Sequence, residues 1–368
     1  MINHQEVARR IWNDDRSVSA ISLLSFLLFA LSLPYRFAVV VRNYLYDNGI
    51  LPSKKLGCPV ISIGNLTAGG TGKTPLAILL GGMLKERGFR PAILSRGYGR
   101  KDGKIIGVVS DGSRILMDYQ EAGDEPILMA LLLPRIPIVV GASRYLTGEM
   151  AIQELGANIL ILDDGFQHRN LYRDIDIVLL ENERPSGNNR LLPAGPLREP
   201  LESLRRADII VLTGNNSDGA STFPKDLQVV LEDSGHCFHS FHKPQAIIDV
   251  SGNARELDFL QGKRIFAFCG IANPLSFRRT IEKLGASLAA LEAFPDHHCY
   301  DASELALIAA QAKILKVDII LTTEKDGARL TDFPDFMANV FILRIKMAFI
   351  PPDNSFINLI LHKLNRLN

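Results

Sequence analysis

Short apolar runs rich in valine and isoleucine recur along the chain at residues 59–63, 92–94, 136–140, 158–162, 175–180 and 208–212. Each is hydrophobic continuously rather than alternately, as strands covered on both faces are. Helical patterns fall between them at 74–87, 125–133, 144–155 and 199–206, with Gly88 and Gly156 as stop signals. This rhythm predicts an α/β fold with a parallel, doubly wound sheet. A polar stretch at 214–219 interrupts it, and a β-rich run over 227–250 leads into a second set. There, 264–269, 319–322 and 340–345 read as strands, and 274–284 and 302–315 as helices. The simplest division has an N-terminal segment at 1–50, a first α/β domain at 51–235 and a smaller α/β domain at 236–368.

The N-terminus departs from this pattern. No charge occurs from Ser17 to Tyr35, and the apolar character resumes after Arg36 over 37–41. That is about the ~20 residues a spanning helix needs, but Pro34 and Arg36 interrupt it. Arg9, Arg10 and Arg16 precede it, and Arg36, Arg42, Lys54 and Lys55 follow. A helix lying in or dipping into a membrane is the favoured reading, ahead of a true span and of a helix buried against protein. No small-residue site ends the apolar core, which argues against a cleaved signal peptide.

Composition narrows the remainder. The 368 residues are 47% hydrophobic with a net charge of +1, so bulk electrostatics predict no nucleic-acid partner. Cys58, Cys237, Cys269 and Cys299 show no C-x-x-C spacing, which fits a reducing compartment and argues against disulfides or structural zinc.

The chemistry begins at 64–74, the sequence GNLTAGGTGKT between a strand and a helix. It reads as a phosphate-binding loop (P-loop), which makes 51–235 a nucleotide-binding domain for a nucleoside triphosphate with Mg²⁺. Backbone N–H groups of Thr67, Ala68, Gly69, Gly70, Thr71 and Gly72 would turn toward phosphate, Lys73 would reach the outer phosphates, and the Thr74 hydroxyl could ligate Mg²⁺. The strict pattern wants glycine where this chain has Thr67.

The strand at 158–162 delivers Asp163 and Asp164 to the sheet edge where ligands bind in open α/β folds. Asp163 is the better candidate for Mg²⁺, opposite Thr74. His168 follows closely, either as a turn residue bonding backbone or as part of the site. Arg96 and Tyr98, spaced by glycine after another strand, suit an anionic substrate, and Arg144 occupies a comparable sheet edge. Asp124 sits at a helix start, where it could serve as N-cap or accept a hydroxyl proton. In the second domain, histidines at 297 and 298 and at 236, 239 and 242 lack a convincing metal-ligand spacing. The charged end of the 319–322 strand, through Asp326, could touch ligand or be a solvated turn.

Taken in order, GNLTAGGTGKTP (64–75), SRGYGR (95–100), GDEP (123–126), LDDGFQH (162–168), RLLPAGPLREP (190–200), FPDHHCY (294–300) and TTEKD (322–326) resemble the tetraacyldisaccharide 4'-kinase family of lipid A biosynthesis. The resemblance implies ATP- and Mg²⁺-dependent phosphorylation of the 4'-hydroxyl of a tetraacyl glucosamine disaccharide 1-phosphate. It places the reaction at the cytoplasmic face of the inner membrane, with no obligate protein partner. It implies Asp124 as base and His297 as its partner, and catalytic or metal roles for Lys73, Thr74, Asp163, Asp164 and Glu199. Arg96, Tyr98, Arg144, His168 and Arg198 follow as further active-site residues. With the boundary at 236, Asp124 and His297 fall in different domains, and the pair is expected to assemble only on domain closure.

Overall fold

The computed structural model describes residues 12, 23–97, 105–214, 236–271, 273–296, 298–330, 332–350 and 353–366. In chain order the elements begin with α1 (Leu23–Asp47), β1 (Val60–Asn65), α2 (Lys73–Glu86), β2 (Pro91–Ser95) and β3 (Ile106–Ser110). Then come α3 (Tyr119–Ala122), α4 (Asp124–Leu132), β4 (Ile138–Gly141), α5 (Arg144–Gln153), β5 (Ile159–Asp163), β6 (Ile175–Glu181), β7 (Ile209–Thr213) and β8 (Cys237–Ile248). The remainder is β9 (Ala254–Arg255), β10 (Arg264–Cys269), α6 (Pro274–Lys283), β11 (Ser287–Ala293), α7 (Ala302–Ile314), β12 (Ile319–Thr323), α8 (Glu324–Arg329), α9 (Pro334–Met337), β13 (Val340–Ile350) and α10 (Asp353–Asn365).

Two compact units interleave along the chain. The first comprises Met1–Arg96, Gly141–Phe241 and Ala348–Asn368; the second comprises Gly97–Val140 and His242–Met347. The expected break near 236 lies close to one crossing point, but the 97–140 segment joins the later residues instead of the P-loop domain. Asp124 therefore lies in the second unit, and the domain-closure argument for its pairing with His297 no longer applies.

In the first unit β1 pairs in parallel with β5 on one side and β6 on the other. β2 follows β5, and β7 follows β6, with the start of β8 beyond it. Every residue of β1, β2 and β5 is buried, as the unbroken apolar runs require. Helix α2 covers β1, β2 and β5, and α5 packs on β2. Ligand chemistry belongs at the carboxyl ends of these strands, on either side of β1 where the strand order reverses.

The second unit carries the parallel set β11, β10, β12, β13. Residues of β10 alternate between two cores. Ile265, Ala267 and Cys269 pack under Phe277 and Ile281 of α6, whereas Phe266 and Phe268 pack under Leu305, Ile308 and Ala312 of α7. Helix α8 packs against α4 within this unit.

Two helical expectations change. Residues 199–206 form only a 3-10 turn, Leu201–Arg206, because Pro200 disfavours helical geometry at Glu199 and begins the turn with extended backbone of its own. Asp124 is not an N-cap: Gly123 caps α4 at φ 91°, and Asp124 is its first helical residue.

Helix α1 has its polarity reversed. Ser32, Val39 and Asn43 form its buried stripe, whereas Phe26 (59% exposed), Phe37 (72%), Leu31, Leu33 and Tyr44 face outward. Its Ser25–Asp47 stretch, which contains an 18-residue window of mean hydropathy 1.5, is the one helix among the described residues long and apolar enough to cross a membrane. The reading of α1 as a core helix buried against protein therefore fails. Residues 17–22 of the predicted apolar segment lie outside the described residues.

Candidate active site

Strand β1 runs straight into the phosphate loop. Close packing demands Gly64, since a Cβ there would lie 2.8 Å from the Phe166 nitrogen. The buried Asn65 amide donates to the carbonyls of Thr67 (2.7 Å) and Gly69 (3.3 Å), bracing the turn from inside. Thr67 forms an antiparallel bridge with Leu197, the Ala68 N–H donates to Pro196 O at 2.7 Å, and the Arg198 N–H donates to Leu66 O at 2.8 Å. This short ladder explains the missing glycine: the residue is held extended against the 196–198 segment and needs no left-handed conformation. Positive φ falls instead on Gly69 (137°) and Gly72 (86°). The Ala68 N–H is thereby committed to protein, which corrects its expected role as a phosphate donor. Among the described residues, backbone N–H groups from Gly69 to Gly72 make no backbone hydrogen bond, and these are the donors left for an anion.

Ion pairs converge beside the loop. Lys73 Nζ stands 3.6 Å from Asp164 Oδ1, and Arg198 Nη1 lies 3.0 Å from both Asp164 oxygens. Asp164 turns out of β5 in the left-handed region at φ 54°. Burial pushes its carboxyl up, but Lys73, Arg198 and Arg144 together outweigh burial and hold it below the usual carboxylate range. Asp163, paired in register with Ile63 of β1, is 2% exposed and accepts from Ser95 Oγ at 3.3 Å. Phe166 fills the core under the loop, and Gln167 Nε2 donates to Asn65 O at 3.0 Å.

Arg144 begins α5 after the Ser143 cap and is 3% exposed, with Nη1 donating to Gly141 O at 2.6 Å. Burial lowers its pKa to about 10, opposed by Asp163 and Asp164. Its Nε is buried without a hydrogen-bond partner, as are His168 Nε2 and Thr71 Oγ1. Burial drives His168 down to about 4, and the nearby cations Arg144, Arg173 and Arg96 add to the shift. The imidazole is therefore neutral at pH 7. Arg96 is exposed at the end of the β2 segment; Tyr98 lies outside the described residues.

Glu199 does not behave as the expected metal ligand. It is fully buried, with Oε1 accepting from Arg42 Nη2 (3.0 Å) and Oε2 from Asn43 Nδ2 (2.8 Å) and Arg206 Nη2 (2.9 Å). These donors satisfy both oxygens and tie α1 to the segment behind Arg198. The Tyr35 hydroxyl adds a 2.9 Å bond to Arg198 O, and Arg169 reaches Asn43 O and Asp47.

In the second unit, Asp124 is gripped by Arg329, whose Nε and Nη2 lie 2.7 and 2.6 Å from Oδ2. No motif in the sequence marks Arg329, which lies three residues beyond the TTEKD run that ends at Asp326. Asp326 is fully buried and not a solvated turn; it accepts from Gly270 N–H, the Tyr300 hydroxyl, Thr323 Oγ1 and Arg329 Nη1. Lys325 pairs with Asp296 at 3.0 Å. His297 lies outside the described residues. His298 stacks on Phe294 at 4.7 Å, and its Nε2 lies 2.9 Å from a Glu304 oxygen.

The arrangement has an anion-binding loop, an adjacent lysine, three arginines and two carboxylates at one sheet edge, the equipment for holding a phosphate chain. A family profile described as Tetraacyldisaccharide-1-P 4'-kinase matches residues 24–365. A protein of Syntrophus aciditrophicus (strain SB), named tetraacyldisaccharide 4'-kinase, is 47% identical over 372 residues, covering 99% of each chain. One of the same name from Anaeromyxobacter dehalogenans (strain 2CP-C) is 42% identical over 326 residues, covering 87% of this chain and 85% of its own. The crystal structure of "apo" form LpxK from Aquifex aeolicus in complex with ATP is similar with a TM-score of 0.75 at 34% identity. That match covers 93% of this chain and 99% of the other.

Proposed function

This chain belongs to the tetraacyldisaccharide-1-P 4'-kinase family, and on that premise we propose that it transfers the γ-phosphoryl group of ATP to the 4'-hydroxyl of a tetraacyl glucosamine disaccharide 1-phosphate. The observation that carries the reading is the convergence of Lys73 and Arg198 on Asp164 beside the glycine-rich loop. In this reading ATP phosphates lie against the N–H groups of 69–73 at the positive end of α2. Lys73 meets the outer phosphates, while Arg198, Arg96 and the buried Arg144 supply positive charge for the transferring group. His168, neutral near pH 7, acts there as a hydrogen-bonding group and adds no charge.

Thr74 and Asp163 are hard oxygen donors, both nearly buried at the foot of the loop, and they fit Mg²⁺. Bound there, the ion would neutralise charge on the phosphates.

Asp124 is the base in this reading. A sugar hydroxyl is a poor nucleophile, and a loose transition state asks mainly for alignment, with proton acceptance late in the step. The partial engagement of His298 by Glu304 and Phe294 favours His297 as the histidine that assists Asp124.

The outward apolar face of α1 supports a location at the membrane, which we assign to the cytoplasmic face of the inner membrane. Drawing acyl chains into water costs ~0.8 kcal/mol per CH₂, so the enzyme must come to its substrate. The deciding experiment follows radiolabel from γ-labelled ATP into detergent-dispersed lipid acceptor. Label that requires Lys73 and Mg²⁺ supports the reading; Lys73→Ala protein that labels lipid as the wild type does would refute it.

A further inference from the structure

We propose that Arg329 is a positioning residue for phosphoryl transfer, holding the Asp124 carboxylate in the orientation in which it receives the acceptor hydroxyl. The inference rests on the reading of Asp124 as base and adds a residue that the motifs do not contain.

Arg329 closes α8 with its side chain 1% exposed. Its Nη1 lies 3.2 Å from Asp326 Oδ1 and 3.3 Å from the Gly270 carbonyl. Asp326 is itself fixed by three other donors: the Gly270 N–H at 2.9 Å, the Tyr300 hydroxyl at 3.0 Å and Thr323 Oγ1 at 2.6 Å. Tyr300 packs edge-on against Phe268 and Phe294, anchoring the network in the core. The planar fork thus leaves the protein interior in one direction, with Nε and Nη2 both presented to Asp124 Oδ2.

The two partners differ in access. The arginine side chain is 1% exposed and the aspartate 17%, so the pair runs from a closed interior to a carboxylate that a ligand can reach. Helix stability does not require it. Gly123 caps α4, and a carboxylate in the first turn already interacts favourably with the helix dipole. A buried ion pair is a weak source of stability, whereas the planar guanidinium fork fixes the orientation of the carboxylate that it holds. Lysine at 329 would keep the charge but could not offer two coplanar donors to one oxygen while a third bonds Asp326.

Four variants test this: Asp124→Ala, Arg329→Met, Arg329→Lys and the double Asp124→Ala/Arg329→Met, each assayed for kcat, lipid KM, ATP affinity and melting temperature. Arg329→Met is expected to lower kcat by ~100-fold, the scale of loss for a misplaced catalytic group, with lipid KM and ATP affinity within about threefold of wild type. Arg329→Lys should recover only part of the loss, and the double variant should be no slower than Asp124→Ala alone. Should the methionine variant melt too early to assay, the lysine variant carries the test, because kcat equal to wild type there would overturn the proposal. Wild-type kcat in folded Arg329→Met, a defect confined to KM, or losses that multiply in the double variant would also overturn it. Wild-type kcat in Asp124→Ala identifies a different failure, that of the base assignment itself.

Discussion

Replacing Glu199 with glutamine separates two roles that a carboxylate near a phosphate site can have. In the structure its oxygens are held by Arg42, Asn43 and Arg206, all at 3.0 Å or less. Glutamine keeps the shape but removes the charge and turns one acceptor into a donor facing a donor. Unpairing a buried ion pair costs about 3–5 kcal/mol. The Arg42 side chain is 35% exposed, so water recovers part of its share, whereas the Arg206 side chain is 17% exposed and lies over the Phe166 ring. We therefore expect a loss of about 3 kcal/mol, which corresponds to a melting temperature lower by roughly 6–12 °C for a unit of this size. The deficit should also depend on pH. Burial raises the Glu199 carboxyl, but Arg206, Asn43 and Arg42 outweigh it and leave a net lowering. The ion pair's contribution is therefore complete above the ordinary glutamate range and lost as pH falls through the lowered value, so wild type and variant should converge in acid. Thermal unfolding in one detergent from pH 8 to pH 3, beside Mg²⁺ titrations of lipid phosphorylation, reads both effects. An unchanged melting temperature with a raised Mg²⁺ requirement would refute the reasoning and return Glu199 to the metal.

Two further outcomes follow from the same geometry. His168 is held neutral with its pKa near 4, so the unfolded chain takes up a proton first as pH falls. Its contribution should be complete above about pH 6.5 and decline toward pH 4 by up to ~1.4 kcal/mol per pH unit. His168→Asn should show a flatter melting temperature between pH 7 and pH 5, and a slope equal to wild type would contradict the assignment. On α1, Phe26→Asp/Phe37→Asp replaces two exposed rings, each worth about 1.5–3 kcal/mol when buried. Flotation with phospholipid vesicles should weaken at least ~10-fold while ATP binding holds, and equal vesicle binding would remove α1 as the contact.

Local patterns carried much of this architecture into view. Wholly buried β1, β2 and β5 were legible as unbroken apolar runs, and two of the loop's glycines, Gly69 and Gly72, fell where positive φ requires them. The helix expected over 199–206 was a misreading, since Glu199-Pro200 is a poor place to enter one and only a 3-10 turn forms there. Pairings between distant segments were not. Asp124 and Arg329 are separated by 205 positions, and no local propensity marks either for the other. The 97–140 segment has the same alternation of strand and helix whichever sheet it joins, so its assignment to the second unit left no trace in periodicity.

Helix α1 and Thr67 show why the remainder stayed hidden. The apolar content of α1 announced a helix, but the polar side chains on its inward face, Tyr35 and Asn43, are placed by what they meet, the carbonyl of Arg198 and the carboxylate of Glu199. Thr67 looked like a defect in a phosphate loop until Leu197 supplied the strand partner that makes glycine unnecessary there. Both features lead to one stretch of backbone. The 196–199 segment braces the phosphate loop through Ala68 and Leu66, sends Arg198 to Asp164, and fastens α1 through Glu199. Beyond the charge Arg198 contributes, this segment is thereby the mechanical link between the apolar helix and the phosphate loop.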